Sequence, residues 1–267
     1  MSTQTEMCME KITSKSNDLI KDVKKLISSS RKRREDGLFV LEGARLCFDI
    51  LNSLYEAEIF LISESAYKKY GDTARELSDS KALRTYIISD EVAEKLSDTD
   101  KTQGVFAVCR MKKPDYEIKS DDRIIILDNV QDPGNLGTVL RTAEALGISA
   151  VYVCGGCDVY NPKVIRATMG SLLRLPIFDN ISCDEAVSFL HNLGMKVYAT
   201  VPNDKAQDIT KMNFEKGCAC VIGNEANGVS PEIIDKCDGA VTIRMLGNAE
   251  SLNASVAAAI TMWEMLR

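Results

Sequence analysis

The chain has 267 residues and a formal net charge of −6. That length exceeds one ordinary compact domain, so two cores are expected, each able to fold without disulfide or metal staples. The acidic balance excludes a protein that coats nucleic acid non-specifically but allows a local basic patch, and no apolar run approaches the ~18 residues of a membrane span, as expected of a cytoplasmic protein.

In chain order, the first periodic segment is Asp18 to Ser28, where Leu19, Ile20, Val23, Leu26 and Ile27 recur at helical spacing with the lysines on the opposite face. Nine basic residues lie between Lys11 and Arg34 against Asp18 and Asp22. Of these, Lys24, Lys25, Arg31, Lys32, Arg33 and Arg34 are candidate nucleic-acid phosphate contacts, a solvated helix face being the alternative. Gly37 to Leu41 reads as a strand, Glu42 to Leu54 as helix, Glu58 to Ser63 as strand, Ala66 to Ser78 as helix and Leu83 to Ile88 as strand. Residues 1–112 are therefore predicted to form a small alternating α/β domain. A charged stretch with one proline and no periodicity follows, and 113–122 is expected to be a linker.

From 123 to 267, apolar β-branched runs alternate with helical patterns: Ile124 to Leu127, Leu136 to Leu146, Ala150 to Val153, Val164 to Leu173, Lys196 to Val201, Cys218 to Ile222, Gly239 to Ile243 and Leu252 to Leu266. Strands apolar throughout and separated by helices predict a parallel sheet covered on both faces, a doubly wound α/β domain. The nine cysteines are scattered and odd in number, which points to reduced thiols. Cys154 with Cys157 and Cys218 with Cys220 sit in strand-like runs without the paired C-x2-C units that hold zinc, so no metal is expected. His191 is the sole histidine, which argues against a histidine triad or a multi-histidine metal site.

Ligands of open parallel sheets lie beyond the carboxyl ends of the strands, which directs attention to three loops. In Leu127 to Thr142, Asn135 can cap the following helix and Arg141 places a guanidinium further along it, both suited to ribose or phosphate oxygens. In Val221 to Glu232, Gly223 and Gly228 let the backbone approach a ligand, Glu225 stands at the apex, and Ser230-Pro231 starts a helix. The third loop, Ile243 to Glu250, enters the closing helix with Ser251 as expected N-cap and Asn253 in the first turn. The glycines form neither G-x-G-x-x-G nor G-x4-G-K-[ST], which excludes the usual dinucleotide and triphosphate loops.

These three loops, in this order and spacing, together with Asn161 to Ser171, closely resemble the motifs of the SpoU (TrmH) family of the SPOUT methyltransferases. Ile12 to Asn17 and Phe39 to Gly43 resemble the ribosomal-protein-like α/β substrate-binding domain that many members carry. The resemblance implies a catalytic domain with a deep trefoil knot, a homodimer, S-adenosylmethionine as cofactor, and methyl transfer to a ribose 2'-hydroxyl of RNA, with ribosomal RNA preferred and transfer RNA possible; a catalytically silent RNA-binding protein of the same fold is the alternative. It also implies that the cofactor lies around Thr200, Gly223, Ile243 and Leu252, and that Asn135, Arg141, Glu225, Ser251 and Asn253 form the catalytic site. Arg244 departs from the family pattern, which has proline before the methionine of the third motif.

Overall fold

The computed structural model describes residues 9–203 and 205–267, so Cys8 lies outside the described residues. The chain forms two compact units that divide between Lys112 and Lys113. In the first, β1 (Glu10–Ile12) precedes α1 (Asp18–Ser28), α2 (Ser30–Asp36), β2 (Leu38–Glu42) and α3 (Ala44–Phe48), the last continued by a 3-10 turn at Asp49–Asn52. Then come β3 (Ala57–Ser63), α4 (Glu64–Lys81), β4 (Thr85–Ile88), α5 (Asp90–Leu96) and β5 (Val105–Arg110). The sheet order is β1-β4-β3-β5-β2. The first three strands run parallel and β5 runs antiparallel to both β3 and β2. Helix α1 buries Ile20, Val23, Leu26 and Ile27 against this sheet, with Asn17 capping its first turn.

The basic run is mostly spoken for within this unit. Arg33 is buried at 3 % exposure and donates to the carbonyls of Leu26 and Ile27 at 2.8 and 3.1 Å. It therefore satisfies the last turn of α1, where carbonyls lack intrahelical partners, and the expectation that it contacts phosphate is corrected. Lys24 donates to the Leu96 and Ser97 carbonyls at the end of α5. Lys25, Arg31 and Lys32 pair with Asp22, Glu35 and Asp36, the last two carboxylates lying just beyond the run. Arg34 remains exposed.

The second unit holds β6 (Arg123–Asp128), α6 (Pro133–Leu146), β7 (Ala150–Cys154), α7 (Pro162–Thr168), β8 (Ile177–Phe178), α8 (Cys183–Asn192), β9 (Lys196–Thr200), β10 (Gln207–Asp208), β11 (Cys218–Ile222), α9 (Pro231–Ile234), β12 (Gly239–Thr242) and α10 (Ala254–Leu266). Its sheet has the order β10-β12-β9-β11-β6-β7-β8, and every pairing is parallel. Strands β7 and β11 are buried along their whole length, as a parallel sheet under helices requires. From β6 the chain moves outward through β7 and β8, returns to β9, and then inserts β11 between β9 and β6. That reversal opens a crevice at the carboxyl ends of β9, β11 and β6.

The segment expected as a linker belongs in part to the second core. Ile118 is buried and Tyr116 packs against the same apolar cluster. The Asp122 carboxylate, itself buried, accepts from the Tyr116 hydroxyl and the Lys119 amide, both at 2.8 Å. The composition reads as polar because the apolar residues are isolated; burial of those two is enough to hold the strap. Among the described residues the cysteines are free thiols, with burial raising Cys109 to about 12 and Cys218 to about 11. No helix among the described residues is long and apolar enough to cross a membrane.

Candidate active site

A cavity of about 340 Å³ lies at the carboxyl edge of the second sheet. Thr200 ends β9, Gly223 follows β11, Ile243 follows β12 and Leu252 precedes α10; all four border this cavity, as do Glu225 and Ser251. Val201, Ile222 and Met245 make much of its wall apolar. The Thr200 hydroxyl is buried with no hydrogen-bond partner. An orphaned buried hydroxyl costs about 1–3 kcal/mol, which a polar ligand atom placed there would relieve. An apolar slot with one such hydroxyl and exposed loop backbone suits a flat heterocycle carrying a polar edge.

The loop after β11 takes its shape from residues that the sequence pattern did not single out. Asn224 pairs with Gly228 as an isolated antiparallel bridge. Its side-chain oxygen accepts from the amides of Ala226 and Asn227 at 2.9 and 3.1 Å, while its nitrogen donates to the Asn129 carbonyl at 2.9 Å. One buried amide thus folds the loop and ties it to the end of β6. Gly223 is required by space: a Cβ there would stand 2.0 Å from the Gly228 carbonyl carbon. Asp128, at the end of β6, accepts from both the amide and hydroxyl of Ser230 at 2.9 and 2.8 Å. The only sequence signals for Asp128 and Asn224 were their places just after apolar strands and the Asn/Gly-rich composition of the second loop.

Beside the cavity, three side chains from separate loops form a directional chain. Glu225 accepts from the amides of Gln131 and Asp132 at 3.1 and 3.0 Å and from the Asn135 side chain at 3.0 Å. The Asn135 oxygen accepts from the Asn253 side chain at 2.9 Å, and the Asn253 oxygen accepts from Ser255. A carboxylate only accepts, so Asn135 must offer its nitrogen to Glu225 and its oxygen to Asn253. Partial burial of Glu225 opposes its ionisation, but bonds from Asn135, Gln131 and Asp132 outweigh that and hold its carboxyl below the usual range.

Several expectations change. Asp132, not Asn135, caps α6, accepting from the Asn135 amide at 2.8 Å; Pro133 occupies the first helical position, which displaces the cap by three residues. Asn253, not Ser251, caps α10, and Ser251 is an exposed residue of the cavity rim. Arg141 does not join the chain of Glu225, Asn135 and Asn253. It lies exposed on α6, six residues beyond Asn135 and so about 240° around the helix. Arg244 forms an ion pair with Asp208 at 3.1 Å. Ile243 and Met245 border the cavity on either side of it, so an ion pair anchors the loop where the family has a proline.

The comparisons agree with this architecture. The SpoU rRNA Methylase family profile matches residues 122–263, and the MRM3-like substrate binding domain profile matches residues 17–107. The 23S rRNA (guanosine(2553)-2'-O)-methyltransferase RlmP of Bacillus subtilis (strain 168) is 32% identical over 261 residues, covering 96% of this chain and 99% of that protein. Among solved structures, the S-adenosylmethionine-bound rRNA methyltransferase of Sinorhizobium meliloti aligns with TM-score 0.86 and 25% identity over 96% of this chain and 97% of its own. The SpoU methyltransferase AviRb of Streptomyces viridochromogenes, in complex with the same cofactor, aligns with TM-score 0.82 and 26% identity over 94% and 97%. With the motifs, the parallel sheet and the profile match all falling on the same residues, the chain belongs to the SpoU rRNA methylase family.

Proposed function

We propose that this protein transfers the methyl group of S-adenosylmethionine to a ribose 2'-hydroxyl of ribosomal RNA, as a cytoplasmic homodimer. The observation that carries the reading is the juxtaposition of the apolar cavity, with its orphaned Thr200 hydroxyl, and the Glu225, Asn135 and Asn253 chain. Thr200, Gly223, Ile243 and Leu252 would hold the cofactor, which when bound supplies an electrophilic methyl on a sulfonium. The chain's own contribution is positioning, which supplies up to about 7–11 kcal/mol in a well-oriented site. Asn135 and Asn253, locked by Glu225 and by the start of α10, orient the ribose, while Ser251 lines its path. The Arg141 guanidinium acts by binding the neighbouring phosphate, whose oxygens its planar fork of donors matches, and by stabilising the developing alkoxide. The hydroxyl proton leaves to phosphate or water.

Two further features belong to the same reading. The insertion of β11 between β6 and β9 supports the trefoil knot implied by the family resemblance. Val256 and Trp263 are exposed at 47% and 62%, with Ile260 between them at helical spacing on α10, and α10 packs on α6, the helix that carries Arg141. A second copy seated on this apolar stripe would bury it. The test is transfer of labelled methyl to total RNA from a strain lacking the gene, followed by nucleoside analysis. A 2'-O-methylnucleoside present with the wild-type protein and absent with Arg141→Ala is expected; base methylation or no transfer overturns the proposal.

A further inference from the structure

The N-terminal unit has a cavity of its own, of about 370 Å³, which the mechanism above does not use. Ser63 ends β3, Asp90 opens the helix after β4, and Gln103 leads into β5; since β5 runs antiparallel to β3, all three meet at one sheet edge. That edge lies beyond the carboxyl ends of parallel strands, where open sheets hold ligands, and the volume falls in the range of about 300–1,000 Å³ typical of small-ligand sites.

The lining groups are of mixed character, and two of them, Gln103 and Asp90, are held by hydrogen bonds. Gln103 accepts from the Ala44 amide at 2.7 Å, which orients its side chain and leaves its NH2 group as a donor. The segment before it is held by Glu42, which accepts from the Ser97 and Thr99 hydroxyls and the Asp98 amide. Asp90 accepts from the Ser65 hydroxyl at 2.7 Å and amide at 3.3 Å. Glu94 and Lys69 are exposed at the rim, and Lys69 lies 5.0 Å from the ring of Tyr70, which also borders the cavity. Two carboxylates beside one ammonium disfavour a free phosphate, and the ammonium disfavours a bare cation. What matches is a neutral planar ring with donors and acceptors on its edge.

We infer that this cavity receives a nucleobase splayed out of the RNA, and that guanine fits best. A carboxylate can accept from guanine's adjacent imino and amino N–H groups while the Gln103 amide donates to a ring acceptor. Sequence-specific RNA recognition generally targets such unstacked bases. The inference rests on the reading of the chain as an RNA-modifying enzyme.

The test uses the full chain, isotopically labelled, titrated separately with guanosine, adenosine, cytidine, uridine and inorganic phosphate while amide shifts of Ala44, Ser65 and Gly104 are followed. Guanosine is expected to shift these amides most and phosphate to leave them unmoved. Glu94→Gln and Gln103→Glu, the latter keeping an acceptor for Ala44, are expected to abolish the guanosine shifts and to raise KM for ribosomal RNA about tenfold with kcat and cofactor affinity unchanged. Equal response to phosphate, no response to any nucleoside, or an unchanged KM in both variants overturns the inference. Methyl transfer by the wild-type protein is scored in parallel: transfer with unaltered variants removes the base pocket alone, whereas guanosine shifts without transfer remove the enzymatic reading alone.

Discussion

The Asn135 side chain donates to Glu225 Oε1 at 3.0 Å across a separation of 90 residues. This bond joins the start of α6 to the loop after β11, and through Asn253 to the start of α10, so three loops share one geometry. Glu225→Gln would place an amide nitrogen among groups that all donate. Methyl transfer should fall on the order of 10²-fold, about 2.7 kcal/mol, with cofactor affinity nearly unchanged; steady-state kinetics with calorimetric cofactor titration checks the split.

The same carboxylate sets an acid limit. Its folded pKa lies below the ordinary glutamate value, so its stabilisation is complete above about pH 4.3 and is lost as pH falls through the folded value. Thermal unfolding of wild type and Glu225→Gln should therefore diverge most at neutral pH and converge in strong acid. A constant difference down to pH 2 would contradict the sign.

Gly223→Ala brings a methyl to 2.0 Å from backbone carbon. Backbone cannot rotate away as a side chain can, so a loss of about 1–3 kcal/mol in stability and at least a tenfold loss of cofactor affinity are expected. Differential scanning calorimetry with and without cofactor measures both.

Arg141 and Arg33 should separate cleanly. Arg141 is exposed outside the bonded chain, so Arg141→Ala should leave stability within about 0.5 kcal/mol yet remove methyl transfer, and lysine should not restore it fully. Arg33→Ala strips donors from the Leu26 and Ile27 carbonyls and should cost about 1.5–3 kcal/mol in urea unfolding. Arg34→Ala should leave unfolding unchanged and flatten the salt dependence of RNA binding.

Trp263 on α10 is 62% exposed beside Ile260. On the proposed homodimer, the wild-type protein should sediment as a dimer and Trp263→Glu as a monomer with the far-ultraviolet spectrum kept; a monomeric wild type would remove the dimer from the proposal, and a variant that stays dimeric would place the second copy elsewhere.

Periodicity located the elements because it reports which faces are buried, and that is a local property of the chain. Asp18–Ser28 appears as the helix over the same residues, and the apolar runs from Ile124 onward became the parallel strands. The three loops were legible because residues just past strand ends are near a site in any open parallel sheet. Cap positions were misread although their signals are local: Asp132 stands directly before Pro133, which takes the first helical position, and Asn253 accepts from amides of its own first turn. Arg33 looked like another basic surface residue, since only the fold of α2 back onto α1 turns its guanidinium toward orphan carbonyls. Sequence thus determined the strongly periodic helices and strands and which loops carry polar chemistry, but not α2, α5 or the short strands β1, β8 and β10, whose local patterns are too brief to show periodicity; tertiary structure alone decided that Glu225, Asn135 and Asn253 bond in series, because hydrogen bonds between residues about a hundred positions apart depend on strand order and register, which no local pattern encodes.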